Sequence, residues 1–180
     1  MSARRCAILA AVTLLSSTWP AGAAPARPTP RACGAGQVRI ALRHLGAALG
    51  TVGGYVSFRN VSRATCRLTG WPTLVAYAAD GTPTPAVRRR STMFGPDVRG
   101  VPVVTLRPGE RAEAVFTGSD VNPRSATTLC PSFRSFGVGL PGQMASVRLS
   151  AWITGLAAYM PNCSGVWVSM VVPARALFHG

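Results

Sequence analysis

Side chains that could carry acid–base or nucleophilic chemistry at neutral pH are few in this chain of 180 residues, and their spacing suits neither. The histidines are His44, beside a strand end, and His179, next to last. A Ser-His-Asp or Cys-His set needs a base that reaches the nucleophile and a third group that orients the base, and no such set assembles here. Glu110, Glu113 and Asp120 are the clustered acids. Glycoside hydrolysis needs two carboxylates facing each other across a cleft. Glu110 and Glu113 are three positions apart on an expected strand, so they face opposite sides and read as surface solubility. Met93, Met144, Met160 and Met170 could join a histidine around copper, but they are dispersed and methionine usually fills cores. Asn60-Val61-Ser62 and Asn162-Cys163-Ser164 match a glycosylation tripeptide, a weak pattern that is discounted. No catalytic residue, cofactor or metal site is expected.

Charge is the more informative chemistry. Lys+Arg 19 against Asp+Glu 5 gives a formal +14, and every basic residue is arginine, which GC-rich coding explains. Such a surface attracts anionic partners through a salt-screened, non-specific field. The densest run is Arg88-Arg89-Arg90, with Arg99 and Arg107 near in sequence. Bidentate guanidinium groups on a mobile loop suit phosphate or carboxylate, including cell-wall polymers; a solvated loop with no ligand is the competing account. Nucleic acid is an unlikely partner, because the run lacks interleaved aromatics.

The chain's start bears on compartment. Residues 1–24 read as a secretory leader: Arg4 and Arg5, an apolar stretch from Ala7 to Leu15, and small residues at Ala21-Gly22-Ala23. Subtracting Arg4 and Arg5 leaves the mature chain at +12. Residues 25–32 form a Pro-rich spacer, and 33–176 a single domain. No later run is long and apolar enough to span a bilayer. The expected location is therefore extracellular or in the cell envelope. Setting Cys6 aside, Cys33, Cys66, Cys130 and Cys163 form an even set in an exported chain, the pattern of two structural disulfides. Three connectivities are possible. Equal separations of 33 residues favour Cys33–Cys66 and Cys130–Cys163, each stapling the ends of a hairpin and worth about 3 to 4 kcal/mol. Wide spacing, no CxxC and no nearby histidine argue against zinc.

The elements that must position these residues are strands. Val38, Ile40 and Leu42 alternate with polar neighbours, and after a flexible Gly46 to Gly54 stretch so do Val56 and Phe58. Cys66 to Leu68 and Thr73 to Tyr77 follow, with a turn at Asp80-Gly81. Residues 82–100, with prolines at 83, 85 and 96, read as a long exposed loop. Val101 to Leu106, the turn Arg107-Pro108-Gly109 and the run through Phe116 read as a hairpin, with Ala112, Ala114 and Phe116 inward and Arg111, Glu113 and Val115 opposite. Any helix is confined to a turn near Gly118 to Arg124. Phe136 to Leu140, a Pro141-Gly142 turn, Val147 to Ala151 and Val166 to Met170 complete the pattern. About eight or nine short strands with regular turns make an all-β, two-sheet antiparallel sandwich.

The stretch YVSFRNVSRATCRLTGWPTL, then Asp80-Gly81, Leu106, Pro108-Gly109, Cys130, Pro141-Gly142, Cys163 and Val172-Pro173, resembles the actinobacterial exported domain-of-unknown-function family numbered 4232. The resemblance implies a secreted or surface-attached immunoglobulin-like sandwich with two disulfides and no established activity. Many relatives look like lipoproteins, whereas this chain has no cysteine directly after its leader at residue 24. The same motif has a structural reading: Asn60 and Ser62 close a strand end, Cys66 ties the chain down, Leu68 and Trp71 fill the core, and Gly70 and Pro72 bend the backbone. The expected function is a non-catalytic binding or adhesion module for anionic envelope polymers or protein partners. An envelope accessory without a specific ligand, and a hydrolytic enzyme of unknown type, are the alternatives.

Overall fold

Period-two alternation commits most of the chain to strands, since successive side chains then sort to a dry face and a wet one. The computed structural model describes residues 29–92, 94–125, 130–145, 147–153 and 158–177, the side chains of 44, 45, 153, 158 and 177 excepted. The strands are β1 (Val38–Ala48), β2 (Thr51–Asn60), β3 (Cys66–Thr69), β4 (Thr73–Ala78), β5 (Pro83–Pro85), β6 (Val87–Arg88), β7 (Val103–Leu106), β8 (Arg111–Ser119), β9 (Phe133–Gly139), β10 (Val147–Ser150), β11 (Trp152–Ile153), β12 (Ala158–Tyr159), β13 (Val166–Val168) and β14 (Val172–Pro173). Eight of these span four residues or more. The others are pairings of two or three residues, too short for alternation to register. Among the described residues there is no α-helix. Single 3-10 turns stand at Ala35–Gln37 and Ala174–Leu177; over 118–124 the chain is the end of β8, through Ser119, followed by a non-helical turn.

The large sheet has the order β1-β2-β8-β13-β6, with β14 also on β8; the second runs β10-β9-β4-β5. Pairing is antiparallel except where β6 runs parallel to β13. Ile40, Val56, Phe58, Ala114 and Phe116 from one sheet meet Leu74, Ala76, Phe136 and Val138 from the other in one core. The Phe116 and Phe136 rings touch across the sheets at 5.1 Å. The two-stranded pair β3-β7 adds Leu68, Val104 and Leu106 to the same core. This is the expected two-sheet sandwich, braced by Cys33–Cys66 and Cys130–Cys163. Cys33 lies outside the β1-β2 hairpin on residues 31–33, which run beside β3, with Cys33 N–H donating to the Arg67 carbonyl at 3.0 Å. The second bond encloses four strands, β9 to β12, and not one hairpin.

Other expectations are corrected by long-range contacts. The Gly46 to Gly54 stretch is the end of the β1-β2 hairpin, turned by Leu49 and Gly50, both at positive φ, as a tight two-residue hairpin loop requires. Residues 82–100 are not one loop: Pro83 and Pro85 sit in β5 on a sheet edge, where a missing N–H costs no ladder bond, and Val87-Arg88 form β6. β7 and β8 do not pair as a hairpin; β7 pairs with β3 and β8 with β2. Val115 and Glu113 are buried although they point away from the core, because β8 is covered on its second side. Gly95 lies over Val115, so that a Cβ there would sit 3.0 Å from Val115 Cγ2.

Between β13 and β14 the ladder on β8 is carried by one side chain. Ser169 N–H donates to the Val115 carbonyl at 2.8 Å, while Val115 N–H donates to Ser169 Oγ at 2.9 Å. Both residues are buried. Ser169→Ala strands the Val115 N–H, and the expected loss is about 1–3 kcal/mol by urea unfolding with an unchanged m-value.

Candidate anion-binding surface

Arg88, Arg89 and Arg90 are all exposed; Arg88 ends the edge strand β6, and Arg89 and Arg90 follow it directly. Two features hold the backbone. Arg88 pairs with Val168 through the β6-β13 ladder, where Arg89 N–H donates to the Val168 carbonyl at 2.9 Å. From the other side, the half-buried Trp71 donates its indole N–H to the Arg89 carbonyl at 2.9 Å. The Arg89 guanidinium lies over the Trp167 ring, 5.3 Å from its centroid, a cation–π contact that aligns the planar fork. An open cavity of about 500 Å³ adjoins, walled by Arg89, Ser91, Thr92, Thr117 and Trp167. Thr92 Oγ1 is buried there without a hydrogen-bond partner among the described residues. Arg99 and Arg107 are exposed on later segments. Sequence reasoning missed Trp71 and Trp167 as partners of this run; neither stands near enough in sequence to signal it.

Two other arginines are engaged by aromatic rings. Arg148 stacks on Tyr77 at 3.4 Å while its Nε donates to Ser135 Oγ at 2.8 Å, and Arg134 stacks on Tyr159 at 4.3 Å. Tyr159 in turn meets the half-exposed Trp152 edge-on at 4.9 Å.

The acids do not converge on a cleft. Glu110 is exposed in the turn after β7, where its Oε2 accepts from Arg107 N–H at 2.8 Å. Glu113 is buried and engaged within the fold. Asp80 is fully exposed, and the Thr82 N–H that donates to it at 2.9 Å holds its carboxyl below the usual range. Asp120 is exposed at the far end of β8. His179, Met93 and the His44 side chain lie outside the described residues; Met160 and Met170 are buried, and Met144 is exposed. Among the described residues no group of three His, Cys, Asp or Glu side chains could hold a metal ion.

Asn60, the first residue of one glycosylation tripeptide, is fully buried with both amide ends occupied. Its Nδ2 donates to the carbonyls of Ala64 at 2.8 Å and Leu106 at 2.9 Å, and its Oδ1 accepts from Ser62 N–H and Oγ–H. This is the structural role read from the motif, extended by one contact: Asn60 also grips the end of β7.

A family model described as Domain of unknown function (DUF4232) matches residues 33–170, a span that holds all four disulfide cysteines and every strand from β1 to β13. The chain belongs to this family. No curated protein and no solved structure matches the chain. The DUF4232 domain contains no helix, among the described residues, long and apolar enough to cross a membrane.

Proposed function

We propose that this DUF4232 domain is a non-catalytic module, secreted or held in the cell envelope, that binds anionic envelope polymers through its arginine surface. One observation supports the reading: three consecutive exposed arginines leave the edge strand β6 at Arg88, and the Arg89 backbone between the other two is held from both sides, by Val168 and by Trp71. A fixed cationic run loses less conformational entropy on binding than a mobile one. The expected leader, the two disulfides and the +12 charge of the mature chain agree with an oxidising exterior rich in acidic polymers.

The test is retention of the purified protein on isolated cell wall across a salt series. Retention at low salt that falls steeply as salt is added is expected, since exposed ion pairs are screened. Arg88→Ala with Arg90→Ala, which keeps the Arg89–Trp167 stack, should weaken retention about tenfold, each charge contributing up to about 1 kcal/mol. A protein that passes through at low salt would point instead to an accessory with no polymer ligand.

A further inference from the structure

A second group of arginines exists only once the strands are in register. Arg39 stands opposite Arg59, and Arg59 opposite Arg111, so three arginines form one rank across β1, β2 and β8. All three are exposed, on the face away from the core: their neighbours Ile40, Phe58 and Ala112 form the buried rank beside them. Adjacent strands lie ~4.8 Å apart, which sets the step between successive arginines. The alignment depends on an irregularity. Between Arg43 and Gly46 the register shifts by one; counted back from the Leu49-Gly50 turn without that shift, Arg39 would stand opposite Asn60.

Like charges directly opposite one another on neighbouring strands destabilise a sheet. The rank therefore works against the fold unless an anion covers it. The neighbouring acids, Glu110 and Glu113, are outnumbered by Arg39, Arg43, Arg59 and Arg111. Glu110 uses one carboxylate oxygen within its own turn, and Glu113, one rank further along the same face, is buried; Arg43 in the rank beyond restores the positive excess. Beyond β8, Arg111 and Arg175, which follows β14, line a common cavity of about 440 Å³ with Glu110. The rank is also rigid: Asn60 N–H donates to the Glu110 carbonyl and Gly109 N–H to the Asn60 carbonyl, tying together the strand ends that carry Arg59 and Arg111.

We infer that Arg39, Arg59 and Arg111 form a second anion site, and that its ligand is a linear phosphate-bearing chain laid across the strands. In such a chain the charges lie in the polymer backbone itself, so cations at fixed intervals meet successive phosphates, each guanidinium offering a fork to two oxygens. Carboxylates of acidic polymers hang as pendant groups and must each be immobilised. The site rests on the proposed polymer-binding role but occupies different strands from Arg88–Arg90.

The probe is linear inorganic polyphosphate, with polyglutamate as the carboxylate control, titrated into the purified full chain at several salt concentrations. Arg39→Gln/Arg59→Gln/Arg111→Gln should weaken polyphosphate binding at least tenfold and reduce the slope of log K against log salt by roughly 2, at about 0.7 per lost contact on a single-stranded chain. The thermal midpoint of the unliganded variant should hold or rise, because repulsion is relieved; a purely structural role would lower it. Arg59→Gln alone, at the centre of the rank, tests the same point should the triple variant fail to fold. Polyphosphate binding by either variant that equals the parent's in affinity and salt slope, or equal affinity of the parent for polyglutamate, overturns the site. Wall retention that falls on changing Arg88 and Arg90 but not the rank defeats this inference and leaves the proposed function standing; loss of retention through the rank alone does the reverse to the Arg88–Arg90 reading.

Discussion

Reduction of the two disulfides is expected to unfold the protein at room temperature without added denaturant. Each bond closes a loop of 33 residues, and the chain-entropy model assigns a loop of that length about 3 to 4 kcal/mol. Together they contribute roughly 7 kcal/mol, against a usual total of about 5–15 kcal/mol for a domain. Order of loss should follow burial. Cys33 and Cys66 are 2% and 1% exposed, whereas Cys130 and Cys163 are half-buried, so a rising thiol concentration should open the second bond first. Alkylation and mass measurement at each step would count the opened bonds, and circular dichroism would follow the fold. A reduced protein with the denaturant midpoint of the oxidised form would show that the core alone suffices.

The parts of this architecture legible in advance are those where one chain segment contains its own information. Alternation marks β1, β2, β4, β9 and β10 because each has one dry face and one wetter one. Equal cysteine separations gave the pairing for a similar reason: a bond must join points the strands can bring together. What escaped is what distant segments impose. β5 hides behind Pro83 and Pro85, which only an edge position tolerates. Glu113 and Val115 alternate as a wet face should, yet both are buried, and the Gly95 segment lies over Val115 on that side of β8. The arginine run was visible as a run, but its rigidity comes from Trp71, 18 residues before Arg89, and from the β13 partner strand. The rank of Arg39, Arg59 and Arg111 was invisible, since a one-residue slip in register separates an arginine opposite an arginine from an arginine opposite Asn60.

Asn60→Asp should be the most damaging single substitution outside the disulfides, and its pH dependence identifies the cause. The crossing from β7 to β8 is where the chain passes from the β3-β7 pair to the large sheet, and Asn60 holds it by both backbone and side chain. A carboxylate preserves the acceptor for Ser62 but turns the former donor into an oxygen facing the Ala64 and Leu106 carbonyls, in a site with 0% exposure. Two hydrogen bonds vanish, two acceptors lose their donor, and a charge is buried. The sum is on the order of 4 kcal/mol at neutral pH, or about 10 °C in Tm for a domain of this size. Burial and facing carbonyls raise the folded-state pKa of such an aspartate above its unfolded value, so the neutral acid is the form the fold prefers. The deficit against the parent is therefore smallest below about pH 4, where the acid is protonated in both states and can donate once, and grows as pH rises towards the folded pKa. Asn60→Ala, which buries no charge, should cost about 3 kcal/mol with no such dependence. Parallel urea titrations at pH 3.5 and pH 7 separate the two substitutions. An aspartate variant whose deficit does not change between those pH values would mean that the crossing opens to water and that Asn60 is not what closes it.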